Sequence, residues 1–258
     1  MSNLPLMQQR IWLTGASSGI GEALARALQP RCQHLFISAR NADKLAHLAE
    51  PFGNVTAISA DVTDSDSLAH ARSVIEQHGG LDTLIANAGT CEYVDVSEFD
   101  AQLIERVMNT NFFGLTRSVE AALPLLRQSQ RGYLVAVSSS STWLAMPRAQ
   151  AYGASKAAVN YFMESMRADL APLGMDVSVI LPGFVKTPLT DQNDFDMPMM
   201  ISAEEAALRI IQGLEQRRFA IHFPKRFTVL LKLLGCLPPA LRLKLTTRMS
   251  RQSQGSQS

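Results

Sequence analysis

The sequence predicts an α/β domain, a doubly wound, mostly parallel sheet of about seven strands with helices on both faces, followed by an apolar and basic C-terminal extension. Three observations carry that expectation. Short β-branched apolar runs alternate with longer stretches whose apolar residues recur at helical spacing. A glycine-rich turn joins the first such run to the first helix. The 258 residues are 47% apolar and 18% charged, an ordinary globular composition that excludes disordered, collagen-like and disulfide-scaffold classes.

Taken in order, the first strand falls at 11–14 and feeds a helix at 21–28, whose Leu24 and Leu28 share one face. Strands follow at 35–38, 55–60 and 83–86, with a helix at 65–78 between the last two. A long helix at 101–126 leads to a strand at 133–138, and a second long helix at 151–173 leads to a strand at 177–181. Residues 188–202 interrupt the alternation, mixing acids with Phe195 and four Met and Ile residues, and read as a mobile excursion or lid. A helix at 203–216 and a strand at 219–223 complete the pattern. Apolar strands separated by helices imply a sheet covered on both faces and joined by right-handed crossovers. No internal repeat or Gly/Ser linker divides the chain, so 1–224 reads as one domain and 225–258 as the extension, ending in a disordered tail at RQSQGSQS.

The formal net charge of +1 conceals a split. All 23 acidic residues precede position 216, whereas nine of the 24 Lys and Arg lie in 216–258. A near-neutral total argues against a nucleic-acid binder. Cys32, Cys91 and Cys236 form no C-x-x-C or Cys/His cluster, which points to a reducing, cytoplasmic setting and to no metal site. No secretory signal is visible, and the longest apolar run, from Phe227, is broken by Lys232 and Pro238-Pro239. On a helix, Phe227, Val229, Leu230, Leu231, Leu233 and Leu234 would leave only Thr228 and Lys232 as a polar stripe. The segment Leu241-Arg242-Leu243-Lys244-Leu245 alternates, so helix and extended chain are both open for it. Two uses suit residues 225–249: a cap over the protein's own cleft or a neighbouring subunit, or peripheral contact with the inner face of a membrane.

The turn Thr14-Gly15-Ala16-Ser17-Ser18-Gly19-Ile20-Gly21 ends the first strand and opens the first helix. Glycines let backbone turn tightly and approach a ligand, and the free N–H groups of a helix start suit a pyrophosphate. Gly15 is expected to make the turn, Gly19 the close approach and Gly21 the helix–strand packing. Arg40 ends the second strand, where an acid would accept a ribose 2′-hydroxyl. A guanidinium there pairs instead with a 2′-phosphate, which favours NADP (NADPH) over NAD.

Tyr152 and Lys156 stand four residues apart at the start of a predicted helix, on one face. A nearby ammonium stabilises a phenolate and lowers its pKa from about 10, fitting the tyrosine for proton transfer to or from an oxygen. The bare pattern is common as a solvated surface pair. Ser139, thirteen residues earlier, gives it context: it ends the fifth strand, the edge where open parallel sheets bind ligands. The other serines of 138–141 read as turn chemistry.

With these motifs assembled, the chain resembles the single-domain short-chain dehydrogenase/reductases of about 250 residues, over about residues 8–224, and hence a Rossmann-type fold. Besides the residues above, the resemblance rests on Asp61-Val62, Asn87-Ala88-Gly89, Asn111 in Asn-Thr-Asn-Phe-Phe-Gly, and Pro182-Gly183 leading to Val185 and Thr187. It implies roles. Tyr152 is the acid/base, and Lys156 lowers its pKa and holds the nicotinamide ribose. Ser139 orients the carbonyl, and Asn111 holds a helix kink and a water joining Lys156 to solvent. Gly15, Ser17, Ser18, Gly19, Ile20, Gly21, Arg40, Asp61, Val62, Asn87, Ala88, Gly89, Pro182, Gly183, Val185 and Thr187 complete the dinucleotide site. Asp61 and Val62 would hold the adenine, and Val185 and Thr187 the carboxamide. The implied reaction interconverts a small-molecule carbonyl and its alcohol, and the two long helices imply a homodimer or homotetramer.

Trp143, Met146, Phe184, Phe195, Met197, Met199 and Met200 are candidates for an apolar substrate pocket. A non-catalytic NADP-binding sensor or scaffold on the same fold is the alternative reading, and the intact Ser139, Tyr152, Lys156 and Asn111 weigh against it. A sugar-nucleotide epimerase is disfavoured by chain length and by the G-x-x-x-G-x-G spacing.

Overall fold

β1 (Arg10–Thr14) is apolar toward both sides: Ile11 and Leu13 face one layer, Trp12 the other, and none is reached by solvent. The same two-sided burial extends across β2 (His34–Ala39), β4 (Thr83–Ala86), β5 (Tyr133–Val137) and β6 (Asp176–Pro182), whereas the edge strands bury less, β3 (Val55–Ser59) only Ile58 and β7 (Ala220–Phe223) only Ile221 and Phe223. In the computed structural model, which describes residues 4–193 and 195–248, these strands form one sheet in the order β3-β2-β1-β4-β5-β6-β7. Every adjacent pair is parallel, with Ile11 beside Leu35 on one side and Thr83 on the other. The chain steps outward from β1 to β3, then returns to place β4 on β1's other side. That reversal opens a crevice at the carboxyl ends of β1 and β4.

The connections are α1 (Gly19–Leu28), α2 (Ala42–Ala49), α3 (Ser65–Gln77), α4 (Ala101–Met108), α5 (Gly114–Leu126), α6 (Gln150–Leu170) and α7 (Ala203–Glu215). α1, α2 and α7 cover one face of the sheet, packing Leu24, Leu45 and Ile210 on Ile11 and Leu13. α3, α5 and α6 cover the other, packing Ile75, Val119 and Met163 on Trp12, Phe36 and Leu84. α4 lies on α6. At the far end of the sheet Asp82 accepts hydrogen bonds from Arg10 N (2.9 Å), Arg10 Nε (3.0 Å) and Ser129 Oγ (2.6 Å), tying β1 to β4.

The structure departs from the sequence reading in three places. α2 has no counterpart in that reading: eight residues with only Leu45 and Leu48 buried are too few to show a period, and the Asn41 cap, which accepts from Lys44 N at 2.9 Å, helps to start it. The long helix at 101–126 is two helices joined by a π-helical turn over Asn109–Phe113, the kink expected at Asn111. The extension forms α8 (Lys225–Gly235) and α9 (Pro239–Thr247), so the alternating Leu241–Leu245 segment is helical, started by a proline at its first position. α8 packs Phe227 and Leu231 on Leu144, with Trp143, Phe184 and Leu245 around them. Thr228 is fully buried rather than part of an outward polar stripe; its hydroxyl donates to Pro224 O (3.0 Å) and pairs with His222 Nδ1 (2.8 Å). The RQSQGSQS tail lies outside the described residues.

Candidate active site

The crevice at the carboxyl edge of the sheet is a cleft of about 860 Å³. Gly15 and Gly19 adopt φ of +68° and +55°, the left-handed region that a side chain disfavours. A Cβ on Gly15 would lie 2.7 Å from Ala88 Cα, and one on Gly21 would lie 2.7 Å from Asn87 Nδ2, so the turn seats directly on the end of β4. Asn87 locks that seat, its Nδ2 donating to Thr14 O and Gly15 O at 3.1 Å each. Asn87 N and Ala88 N both donate to Thr14 Oγ1, at 3.0 and 3.1 Å. The bare turn and the free N–H groups of α1 make a cradle suited to an anionic pyrophosphate.

Around it stand Arg40 at the end of β2, exposed, and Asp61 and Val62 after β3. Asp61 Oδ1 accepts from Thr63 N (2.9 Å) and Thr63 Oγ1 (2.8 Å), which caps its own loop and fixes the carboxylate at the cleft wall. Pro182, Gly183, Val185 and Thr187 line the opposite wall after β6, with Ser17, Ser18 and Ile20 at the turn and Gly89 beyond β4. Every residue expected to bind the cofactor therefore borders one cleft, and the residues present fit a dinucleotide.

Ser139, Tyr152 and Lys156 also border this cleft. Ser139 lies two residues beyond β5, where its Oγ accepts from Ser141 N at 3.1 Å. Ser138 also borders the cleft, but its hydroxyl is taken up in donating to Lys156 O at 3.0 Å. Asn111 does not line the cleft. It is buried in the π-helical turn, where Oδ1 accepts from Thr90 N (2.7 Å) and Nδ2 donates to Thr90 O and Ser155 Oγ (2.9 Å each). The amide thus stitches the loop after β4 to α6, and Ser155 Oγ passes the link to Tyr152 O at 2.8 Å.

The electrostatics differ from the sequence expectation. Burial pushes the Tyr152 phenol up to about 12, while hydrogen bonding with Ser139 pulls it partly back and the Cys91 thiolate would raise it further. Burial lowers the Lys156 ammonium to about 8, and its Nζ donates to Val137 O at 2.9 Å, with the tyrosine ring centroid 5.8 Å away. The i, i+4 spacing brought the two onto one helix face, but the strand-end carbonyl competes for the ammonium.

The proposed apolar pocket divides. Trp143, Met146 and Phe184 gather against α8, and Phe195 bridges Phe184 and Tyr93 with ring centroids 6.1 and 6.0 Å away. Met199 and Met200 are exposed, with Met199 in a positive-φ turn, so they do not join that cluster. Met197 Sδ accepts from Asn193 Nδ2 at 3.3 Å. The excursion at 188–202 is pinned at its base by a parallel bridge between Val185 and Ile201. Sequence reasoning missed Thr90, Cys91 and Tyr93, which follow Gly89. Thr90 lines the cleft, and Tyr93 Oη donates to Asn193 Oδ1 at 2.6 Å. Their place in the chain, directly after a cleft-lining run, was the available signal. The Glu92–Arg106 ion pair at the rim (3.1 Å) had none, being fourteen residues apart.

Comparison with known proteins bears on this arrangement. Residues 9–197 match the family model for short chain dehydrogenases. An Arabidopsis thaliana protein named 11-beta-hydroxysteroid dehydrogenase 1A is 38% identical over 195 residues, 72% of this chain but only 54% of that longer protein. A short chain dehydrogenase from Burkholderia cenocepacia, solved with NADP, superposes with a TM-score of 0.82 at 26% identity, covering 94% of this chain and 99% of that one. A short chain dehydrogenase/reductase from Burkholderia phymatum, solved with NAD, gives a TM-score of 0.81 at 22% identity over 90% of this chain and 94% of that one, a likeness of fold.

Proposed function

The chain belongs to the short chain dehydrogenase family, and from that premise we propose that it is an NADP-dependent carbonyl reductase with Tyr152 as its acid/base. The observation that carries the reading is the convergence of Ser139, Tyr152 and Lys156 on the cleft that also holds the glycine turn and Arg40. Arg40 supports NADP because a guanidinium at the end of β2 can pair with a 2′-phosphate, and the chain has no acid there to hold a free 2′-hydroxyl.

The turn at Gly15–Gly21, Asn87 and Arg40 would hold the dinucleotide, and Val185 and Thr187 its carboxamide end. When bound, the reduced nicotinamide supplies the hydride. The protein orients the carbonyl and moves the proton. Ser139 Oγ donates a hydrogen bond to the carbonyl oxygen, polarising it. Tyr152 Oη gives its proton to the same oxygen as the alcohol forms. A phenol pushed up to about 12 keeps that proton throughout the neutral range, which is the state that reduction needs. Lys156, held at Val137 O, would reach the ribose and restore the proton through the Tyr152 neighbourhood.

Substrate apolarity is supported by the hydroxysteroid name of the Arabidopsis relative and by Phe184, which follows cleft-lining Gly183 and packs with Trp143 and Met146 on α8 rather than lining the cleft itself. NADPH oxidation with a panel of ketones, quinones and aldehydes tests the reading. Wild type should turn over at least one bulky apolar carbonyl, and Tyr152→Phe should lose about a thousandfold or more while still binding NADPH. Tight NADPH binding with no carbonyl reduced by wild type would instead favour a sensor or scaffold.

A further inference from the structure

We propose that the outward face of α8 is a docking surface for an anionic membrane, with the basic α9 beside it. α8 uses one side to pack on the domain and leaves the other uncovered, while α9 packs only through Leu245. Phe227 and Leu231 point inward, whereas Val229, Leu230 and Leu233 on α8 and Leu241 and Leu243 on α9 are exposed, Leu233 by 63% and Leu243 by 67%. Val229, Leu230 and Leu233 share one arc of α8, whereas Leu241 and Leu243, two residues apart, point to different sides of α9; the three gathered on the first helix of this hairpin exceed the scattered exposure of an ordinary surface.

The charges around them have one sign. By helical spacing, Lys225 and Lys232 flank Val229 on one edge of α8's exposed arc, and Arg226 lies between Leu230 and Leu233. On α9, Lys244 is exposed beside Leu243. Among the described residues none of these four cations makes an ion pair, and residues 216–258 contain no Asp or Glu. Exposed leucines edged by lysine and arginine match the layering of a membrane interface, with acyl chains below and anionic headgroups at the rim. Among the described residues no helix is long and apolar enough to cross a membrane, so the contact would be one of surface seating.

A second copy of this chain fits the face less well. In an isologous dimer the same patch meets itself, and these cations would face their own copies with no carboxylate from either patch. The proposal does not depend on the substrate. It has a geometric consequence for the cleft all the same: Phe227 packs on Gly183, which lines that cleft, so seating α8 on lipid would set the cleft wall next to the bilayer.

Co-sedimentation of the full chain with vesicles of phosphatidylcholine, alone or with a third phosphatidylglycerol, tests this. Wild type should bind the anionic vesicles at low salt, ignore the zwitterionic ones, and be released by about 0.5 M salt. Changing Lys225, Arg226 and Lys232 together to Gln should weaken binding about a hundredfold, and Leu230→Ser with Leu233→Ser about tenfold or more. Changing Arg26, Arg72 and Arg209 to Gln removes the same net charge outside the hairpin and should leave binding within about threefold. Circular-dichroism melting of each variant verifies the fold. The proposal is overturned if wild type ignores anionic vesicles at low salt, or if the outside variant loses as much as the hairpin variant. It is also overturned if light scattering shows a dimer that the Leu230/Leu233 variant converts to monomer without any vesicle binding by wild type.

Discussion

Replacing Gly15 by Ala tests the seat of the cleft on the sheet. The added Cβ would stand 2.7 Å from Ala88 Cα, 2.9 Å from Ala88 N and 3.1 Å from Asn87 Nδ2, two of them backbone atoms that cannot rotate away. A left-handed conformation at a residue with a Cβ costs about 1–2 kcal/mol, and overpacking against fixed atoms about 1–3 kcal/mol more. The sum is about 2–5 kcal/mol, a fall in melting temperature of roughly 4–20 °C for a chain of this size. Gly153 supplies the contrast. It lies in α6 with nothing within 4 Å of its absent Cβ, so Gly153→Ala should stabilise by about 0.5–1 kcal/mol through a better-ordered helix. Thermal melting by circular dichroism reads both, and fluorescence titration should show weaker NADPH binding for the Gly15 variant alone. A Gly15→Ala protein that melts with wild type and keeps its NADPH affinity would refute the argument.

Arg40→Asp should weaken NADPH binding ten- to a hundredfold, since a charge-assisted phosphate contact contributes roughly 1.5–3 kcal/mol, and should leave NADH binding much less changed; equal losses would sink the assignment of Arg40 to the 2′-phosphate. Lys156 gives a stability signature of definite sign. Its folded pKa of about 8 lies below the unfolded value of about 10.4, so between those limits the unfolded chain binds more protons and stability rises with pH. Urea unfolding from pH 7 to 10 should show that rise, by up to about 3 kcal/mol, in the difference between wild type and Lys156→Met, which cancels the opposite contribution of buried Cys32. A difference that stays constant over that range would mean that burial does not lower the Lys156 pKa.

Much of the fold was legible because its signals are local. The alternation of apolar runs with helical periods needs only a few neighbours on each side, and the strands at 83–86 and 133–138 appear in the structure within a residue of their predicted limits. α2 was illegible because its eight residues bury only two leucines, and its stability comes from packing on the sheet rather than from periodicity. The catalytic candidates were legible as motifs, yet the burial that raises the Tyr152 phenol and lowers the Lys156 ammonium was not. Spacing places Lys156 on the tyrosine's helix face, but the carbonyl of Val137 that takes its ammonium arrives from a strand nineteen residues away. The apolar pocket was legible as composition only: nothing in the sequence separates Met146, which joins Trp143 and Phe184, from Met199 and Met200, which face solvent.

The sequence by itself determined the class of fold, the glycine turn that can cradle a phosphate, the Tyr–Lys pair and the division into an acidic domain and a basic, apolar extension. Each depends on residue type and spacing along the chain, and these are present before any folding. Only the tertiary structure decided that Gly15, Arg40, Asp61, Ser139, Tyr152 and Gly183 border one cleft, because that requires β1 and β4 to become neighbours and five strand ends to share an edge. It also decided which side of α8 is covered. A helix apolar nearly all round can bury any of its faces, and the choice fell to Phe227 and Leu231 because Leu144, Trp143 and Phe184 offered them a matching surface, leaving Leu230 and Leu233 outward among the lysines and arginines.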